Sequence, residues 1–391
     1  MALAGVRARV EQARAAGGEG LALALIELAE AEPLFGHRQA AVRAPLDEAA
    51  ALLDQRTAPA LEGRVLLRLA HVKLSEGDFE GVEQLVARAR QRLDPADADR
   101  ASEADCLLVR AAIRRREFAA AEAGLIELSD RLGAEPETLV ARRALAAIAL
   151  AWAELAVEQE HYAQGQTRLD VLPSGAPDEG DDELAEADFA CRQLRGALAA
   201  ATGDQARGCH VLREAVGIAK RFDALEDELE MRIALAGALV QRDDQVGRDE
   251  AERHLQITRD KALEHELDSL YLAALMGQAG VLAQNGKTQG ALDRCLEIAK
   301  VAVSKQDLPR YVAAVALMSG IYERKGDLAS AYRTFAEAHA MLREKLGDQA
   351  RDLIRPPMSA FADRIGPEKF AEIAETVNKA AHARQTFRRR S

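Results

Sequence analysis

Eight histidines and four cysteines are the residues of this chain best able to bind a metal, carry protons or act as nucleophiles. His37, His71, His161, His210, His254, His265, His339 and His382 include no HExxH pair, and none stands at ligand spacing from two cysteines or carboxylates. Cys106, Cys191, Cys209 and Cys295 are scattered and form no CxxC pair, which reads as buried free thiols in a reducing compartment. Cys209 and His210 are adjacent, so on a helix their side chains point in different directions. No GxSxG nucleophile elbow occurs. The stretch GVLAQNGKT, residues 280–288, has the glycines, Lys287 and Thr288 of a phosphate-binding loop, but five residues separate Gly280 from Gly286, one too many. That loop also needs a strand before it, and the residues before this one have a helical pattern. The sequence therefore offers recognition by charge and shape. It assigns no catalytic residue, no cofactor and no metal.

The elements that must position recognising residues are helices in a repeat. A glycine-centred turn is followed each time by the same order of small and apolar residues: KGDLASAYRTFAEAHAML around Gly326, NGKTQGALDRCLEIAKVA around Gly286 and EGDFEGVEQLVARARQRL around Gly77. Val315, Met318, Ser319 and Tyr322 share one helix face before the Gly326 turn, and Ala331, Phe335 and Ala338 share one after it. Two antiparallel helices are closest near a short turn, which explains a small residue five positions after the glycine. Further turns are expected at residues 36, 116, 160, 203 and 246, giving intervals of 39 to 44 residues. Arg116 and Glu160 occupy the turn where other copies have glycine. Aromatic residues are only 4%, strong helix formers dominate, and no stretch alternates with a two-residue period. The fold class expected is all-α.

The small–aromatic–small set Ala331, Phe335 and Ala338, with Tyr322 in the preceding helix, resembles the tetratricopeptide repeat (TPR) family. Weaker copies place Leu66, Leu69, Ala70, Val82, Val86 and Ala89 around Gly77, and Leu275, Ala279, Leu282, Ala291, Cys295 and Ile298 around Gly286. Gly208, Leu212 and Ala215 follow Gly203, and Ala251 and Leu255 follow the turn near 246. The interval exceeds the roughly 34 residues usual for the family, as in its kinesin-light-chain-like and MalT-like branches. The resemblance implies a right-handed superhelical solenoid of about seven to eight antiparallel hairpins with a C-terminal capping helix. A HEAT-like solenoid is the structural rival.

The organisation expected is an N-terminal helix or extension over 1–19, a repeat array over 20–345 with a candidate hinge at 173–183, and a capping helix with a basic tail over 346–391. Pro33 and Pro45 are expected to shorten or kink the first hairpin, and Pro356–Pro357 to end the helix before them. A net charge of −12 argues against broad nucleic-acid binding. No apolar run is long enough to span a bilayer, and charges at Arg7, Arg9 and Glu11 interrupt the opening residues, so a cytoplasmic protein is expected.

In the solenoid that the resemblance implies, the first helix of each hairpin lines the concave face. Arg64, Arg68, His71 and Ser75 then point inward from the Gly77 copy. Glu103, Arg110 and Arg114 follow from the next copy, and Glu154 and Glu158 from the third. Gln193, Ala197, Met276, Gln284, Glu323 and Arg324 continue the face. Arg64, Arg68, His71, Arg110 and Arg114 are the candidate partner-binding residues, because guanidinium forks suit carboxylates and phosphates. The competing reading is a charge face paired within itself through Glu103 and its neighbours. The function expected is a non-enzymatic scaffold or adaptor that holds a protein or peptide partner in the groove. The alternative is a signal-sensing module that binds a small molecule or short peptide and relays to a protein effector. Self-association through the last hairpin is compatible with both.

Overall fold

The computed structural model describes residues 3–31, 39–53, 58–94, 98–132, 139–170, 185–347 and 350–388. Among these described residues its nineteen elements are all α-helices. The candidate hinge at 173–183 and the turn at Gly36 lie outside the described residues. Contacts group the chain into two compact units, Met1–Ala238 and Leu239–Ser391.

In the first unit, α1 (Leu3–Ala16) packs on α2 (Gly18–Ala31), and α2 pairs with α3 (Gln39–Leu53). The pairs α4 (Pro59–Glu76) with α5 (Phe79–Arg92), α6 (Ala98–Arg114) with α7 (Phe118–Leu132), α8 (Leu139–Glu158) with α9 (Tyr162–Asp170), and α10 (Ala185–Thr202) with α11 (Gln205–Arg221) follow. The first helices α2, α4, α6, α8 and α10 lie side by side in that order, and each second helix from α3 to α9 also packs against the first helix that follows it. Then comes α12 (Leu225–Gln241).

The second unit contains α13 (Gln245–Glu264), α14 (Asp268–Gln284), α15 (Thr288–Ser304), α16 (Leu308–Arg324) and α17 (Leu328–Leu346), each packed on the next. It ends with α18 (Ala350–Ile365) and α19 (Pro367–Arg388), both of which pack on α17.

The turns explain the long repeat. Gly77 has φ +77° and Gly326 φ +78°. The Gly77 N–H donates to the Leu74 carbonyl and the Asp78 N–H to the Lys73 carbonyl, the paired bonds of a Schellman motif. Arg116 (φ +65°) and Glu160 (φ +61°) adopt the same left-handed conformation and make the same two bonds without glycine. So do Asp223, Glu266 and Gln306, which join one hairpin to the next. From α11 onward most helices are 17 residues long, as in α11, α12, α14, α15 and α16, and three residues separate them. Left-handed residues consequently recur at 203, 223, 243, 266, 286, 306 and 326. Longer helices, not longer loops, set a hairpin of about forty residues. The turn expected at 246 falls at Asp243 instead, because the Asp244 side chain accepts the Gly247 N–H and starts α13 at Gln245.

At Gly165 and Gly208 the small residue five positions after the turn is needed for the reason expected. A Cβ on Gly165 would stand 3.2 Å from the Ala156 Cβ, and one on Gly208 would stand 3.3 Å from the Ala199 Cβ. Ala291 and Ala331 are fully buried at the same position, and Ala251 is fully buried eight residues after its turn. Around Ala331 the second unit buries Val315, Met318, Phe335, Ala338, Phe361, Ile373 and Val377 together.

Pro356–Pro357 depart from expectation, since they are inside α18 and do not end a helix. Pro45 is inside α3, and Pro33 lies outside the described residues. A proline in a helix costs about 3 kcal/mol through its lost N–H and its clash with the preceding turn. Ile354 and Phe361 lie two turns apart on one face of α18, and both are buried in the core, which holds that helix continuous across the prolines.

Candidate functional site

His71, Arg110 and Glu154 each stand six residues before a left-handed turn residue, at 77, 116 and 160. The repeat therefore gives them equivalent places on α4, α6 and α8, which are neighbours in the first-helix layer. Arg64 and Glu103 share a second register, thirteen residues before their turns. Side chains in these registers meet across the boundaries between hairpins.

Arg64 and His71 belong to one charged chain. Arg64 donates from Nε and Nη2 to the two Glu30 carboxylate oxygens, at 3.1 and 2.7 Å. Arg100 donates to Glu30 at 3.0 Å and to Glu103 at 2.8 Å. The His71 Nε2 is 3.2 Å from the Glu103 carboxylate. Burial alone would push the Glu103 carboxyl up. The His71 hydrogen bond and the Arg100 charge outweigh that and hold it at about 2.

Arg110 and Arg114 belong to a second cluster. Arg110 grips Glu154 through Nη2 at 2.9 Å and Nε at 3.4 Å. Arg114, one turn further along α6, approaches the same carboxylate at 4.0 Å. Arg68 also reaches the backbone of the preceding hairpin. It is 8% exposed, and its Nε donates to the Ala29 carbonyl at 3.0 Å. Its guanidinium serves the C-terminal turn of α2 and faces the protein interior.

The structure thus brings Arg64, His71, Arg110 and Arg114 to carboxylates from neighbouring hairpins. Sequence reasoning missed Glu30 and Arg100. Glu30 stands six residues before Gly36, the register of His71 and Arg110, and Arg100 stands three residues before Glu103. Both signals were present but weak, because the first turn is degenerate.

Burial pushes the Cys106 and Cys295 thiols up to about 12, so neither forms a thiolate readily. No group of three or more His, Cys, Asp or Glu among the described residues is arranged to hold a metal ion. Gly286 is the left-handed residue between α14 and α15, so the phosphate-loop lookalike is a helix–helix turn. No helix among the described residues is long and apolar enough to cross a membrane.

No protein-family model matches the chain, and no curated protein matches it. Solved structures do. The apo form of RapI superposes with a TM-score of 0.58 at 11% identity, covering 83% of this chain and 98% of its own. A signal-transduction ATPase with a tetratricopeptide repeat sensor from Pyrococcus horikoshii gives 0.61 at 15% identity, covering 89% of this chain and 52% of its own. A Rap protein complexed with competence and sporulation factor gives 0.52 at 13% identity, with 83% and 88% covered. What this chain shares with them is the fold, a TPR-like stack of helix hairpins.

Proposed function

We propose that the chain is a non-enzymatic regulatory scaffold that holds a peptide or protein segment against the first-helix face of Met1–Ala238. The observation that carries this reading is the run of polar and charged groups on α2, α4, α6 and α8, where Glu30 and Glu154 each contact two arginines and Glu103 contacts Arg100 and His71. A helical repeat offers a broad binding surface without a reactive centre. The forty-residue hairpin supports placement in a long-repeat TPR branch. A fold-level parallel adds support by analogy, since one structural neighbour is described in complex with competence and sporulation factor.

The test is selection of short random-sequence peptides on the whole chain, followed by binding to a variant with Arg110→Gln and Arg114→Glu. Gln at 110 keeps an N–H donor near the place of the Arg110 Nε, which is 3.4 Å from Glu154. Selected peptides should lose affinity for this variant while helical content stays the same. Failure to select any peptide, or equal binding to both proteins, would end the proposal.

A second reading makes the repeats a sensor for a small ligand. It draws on the Pyrococcus horikoshii neighbour, whose repeats are described as a sensor. Ligand-dependent compaction in small-angle scattering would support it, and no response across a metabolite panel would count against it.

A further inference from the structure

We infer that Arg114 is the residue that selects the bound segment, by taking a side-chain carboxylate of that segment; this rests on the peptide-holding reading above. Arg114, Arg115 and Arg116 are consecutive. Arg115 is paired with Glu83, and Arg116 with Glu158 at 3.5 Å. Arg114 has no hydrogen bond among the described residues, and its nearest carboxylate oxygen is 4.0 Å away on Glu154. It is 58% exposed, whereas Glu154 beneath it is 13% exposed. Its planar fork of N–H donors is therefore open to solvent and ready for a bidentate acceptor.

Arg110 and Arg114 are like charges one turn apart, an arrangement that a helix disfavours. Glu154 offsets one of the two positive charges, and its bidentate hold on Arg110 fixes which one. The cluster keeps a single net positive charge, located on Arg114. A carboxylate matches it charge for charge. A dianionic phosphate would leave an unmatched negative charge beside Glu154 and Glu158. The ligand class that fits is a peptide carrying Asp or Glu.

The whole chain is titrated with three fluorescein-labelled peptides of equal length, one rich in Glu, one in Lys and one in phosphoserine, at low and high salt. The Glu peptide should bind in a salt-dependent manner. Arg114→Gln should weaken it about tenfold or more, as for loss of a charge-assisted contact. Glu154→Gln should tighten it about fivefold by removing the offsetting charge. Helical content and melting of Arg114→Gln should match the parent, because the side chain is exposed. No binding of the Glu peptide, equal binding by Arg114→Gln, or preference for the Lys or phosphoserine peptide overturns the assignment. Selected peptides that lack Asp and Glu, yet lose affinity on the Arg110→Gln, Arg114→Glu variant, would overturn it while leaving the scaffold function intact.

Discussion

The Arg68 guanidinium donates from Nε to the Ala29 carbonyl, 3.0 Å away, and so ties α4 to the C-terminal turn of α2. The last carbonyls of a helix have no partner within it and carry partial negative charge, so a cation there is favourable. Arg195 repeats the device, donating to the Leu169 carbonyl at 2.7 Å near the end of α9. Both arginines are buried and join one hairpin to another.

Arg68→Ala should therefore act on stability. Loss of a buried charge-assisted bond costs about 1.5–3 kcal/mol. Urea unfolding followed by circular dichroism should show the loss. An unchanged midpoint together with loss of peptide binding would instead make Arg68 a groove residue.

The contrast between Arg68 and Arg114 shows what the sequence made legible. Helix pairing was readable because small and large residues recur at fixed distances from each turn, and Arg116 and Glu160 kept that register without glycine. The face on which Arg64, His71, Arg110 and Arg114 lie followed from the same register. Their partners did not. Glu30 is 34 residues from Arg64 and 70 from Arg100, and only the packing of successive first helices brings them together. The bond from Arg68 to the Ala29 carbonyl was hidden for a related reason, since a backbone acceptor leaves no mark in the residue pattern. Pro356–Pro357 misled because local propensity signals a stop, whereas burial of Ile354 and Phe361 carries α18 through.

Glu103 gives stability a dependence on acid. Its carboxyl is held at about 2 in the folded chain, below its ordinary 4.5, so the unfolded chain binds the proton first. The stabilisation is complete above about pH 4.5 and is lost as pH falls toward 2. Capping carboxylates Asp78, Asp244, Asp307 and Asp327 are likewise lowered, chiefly by backbone hydrogen bonds and, for Asp307, by Arg310, so they add to acid sensitivity below their ordinary 3.8. Glu103→Gln should be less stable than the parent at neutral pH, and the gap should narrow as pH falls through that window. Urea midpoints across the acid range measure it; a gap independent of pH would mean that His71 and Arg100 do not stabilise the ionised form.

Ala331 tests the repeat geometry. It is fully buried in the first turn of α17, just after the turn from α16, in one core with Val315, Met318 and Phe335. Ala331→Leu adds a branched side chain to that filled core and should cost on the order of 1–3 kcal/mol. Thermal unfolding would report the change. A neutral result would mean that the two helices have room there and that the small position is not set by their contact.

Phe361 is what attaches the last two helices. Its ring lies 5.9 Å from that of Phe335 on α17 and 6.1 Å from that of Phe370 on α19, while Tyr332 and Phe370 meet edge to face at 5.5 Å. One fully buried ring therefore joins α17, α18 and α19. Phe361→Ala should cost about 3–5 kcal/mol, the usual penalty for emptying a buried aromatic site. The loss should be local, because α18 already carries two prolines and depends on core burial for its continuity. Limited proteolysis should cut the variant within 350–388 while α13 to α16 remain protected. Uniform cleavage across the second unit would show instead that its hairpins unfold as one, with the terminal pair an inseparable part of the stack.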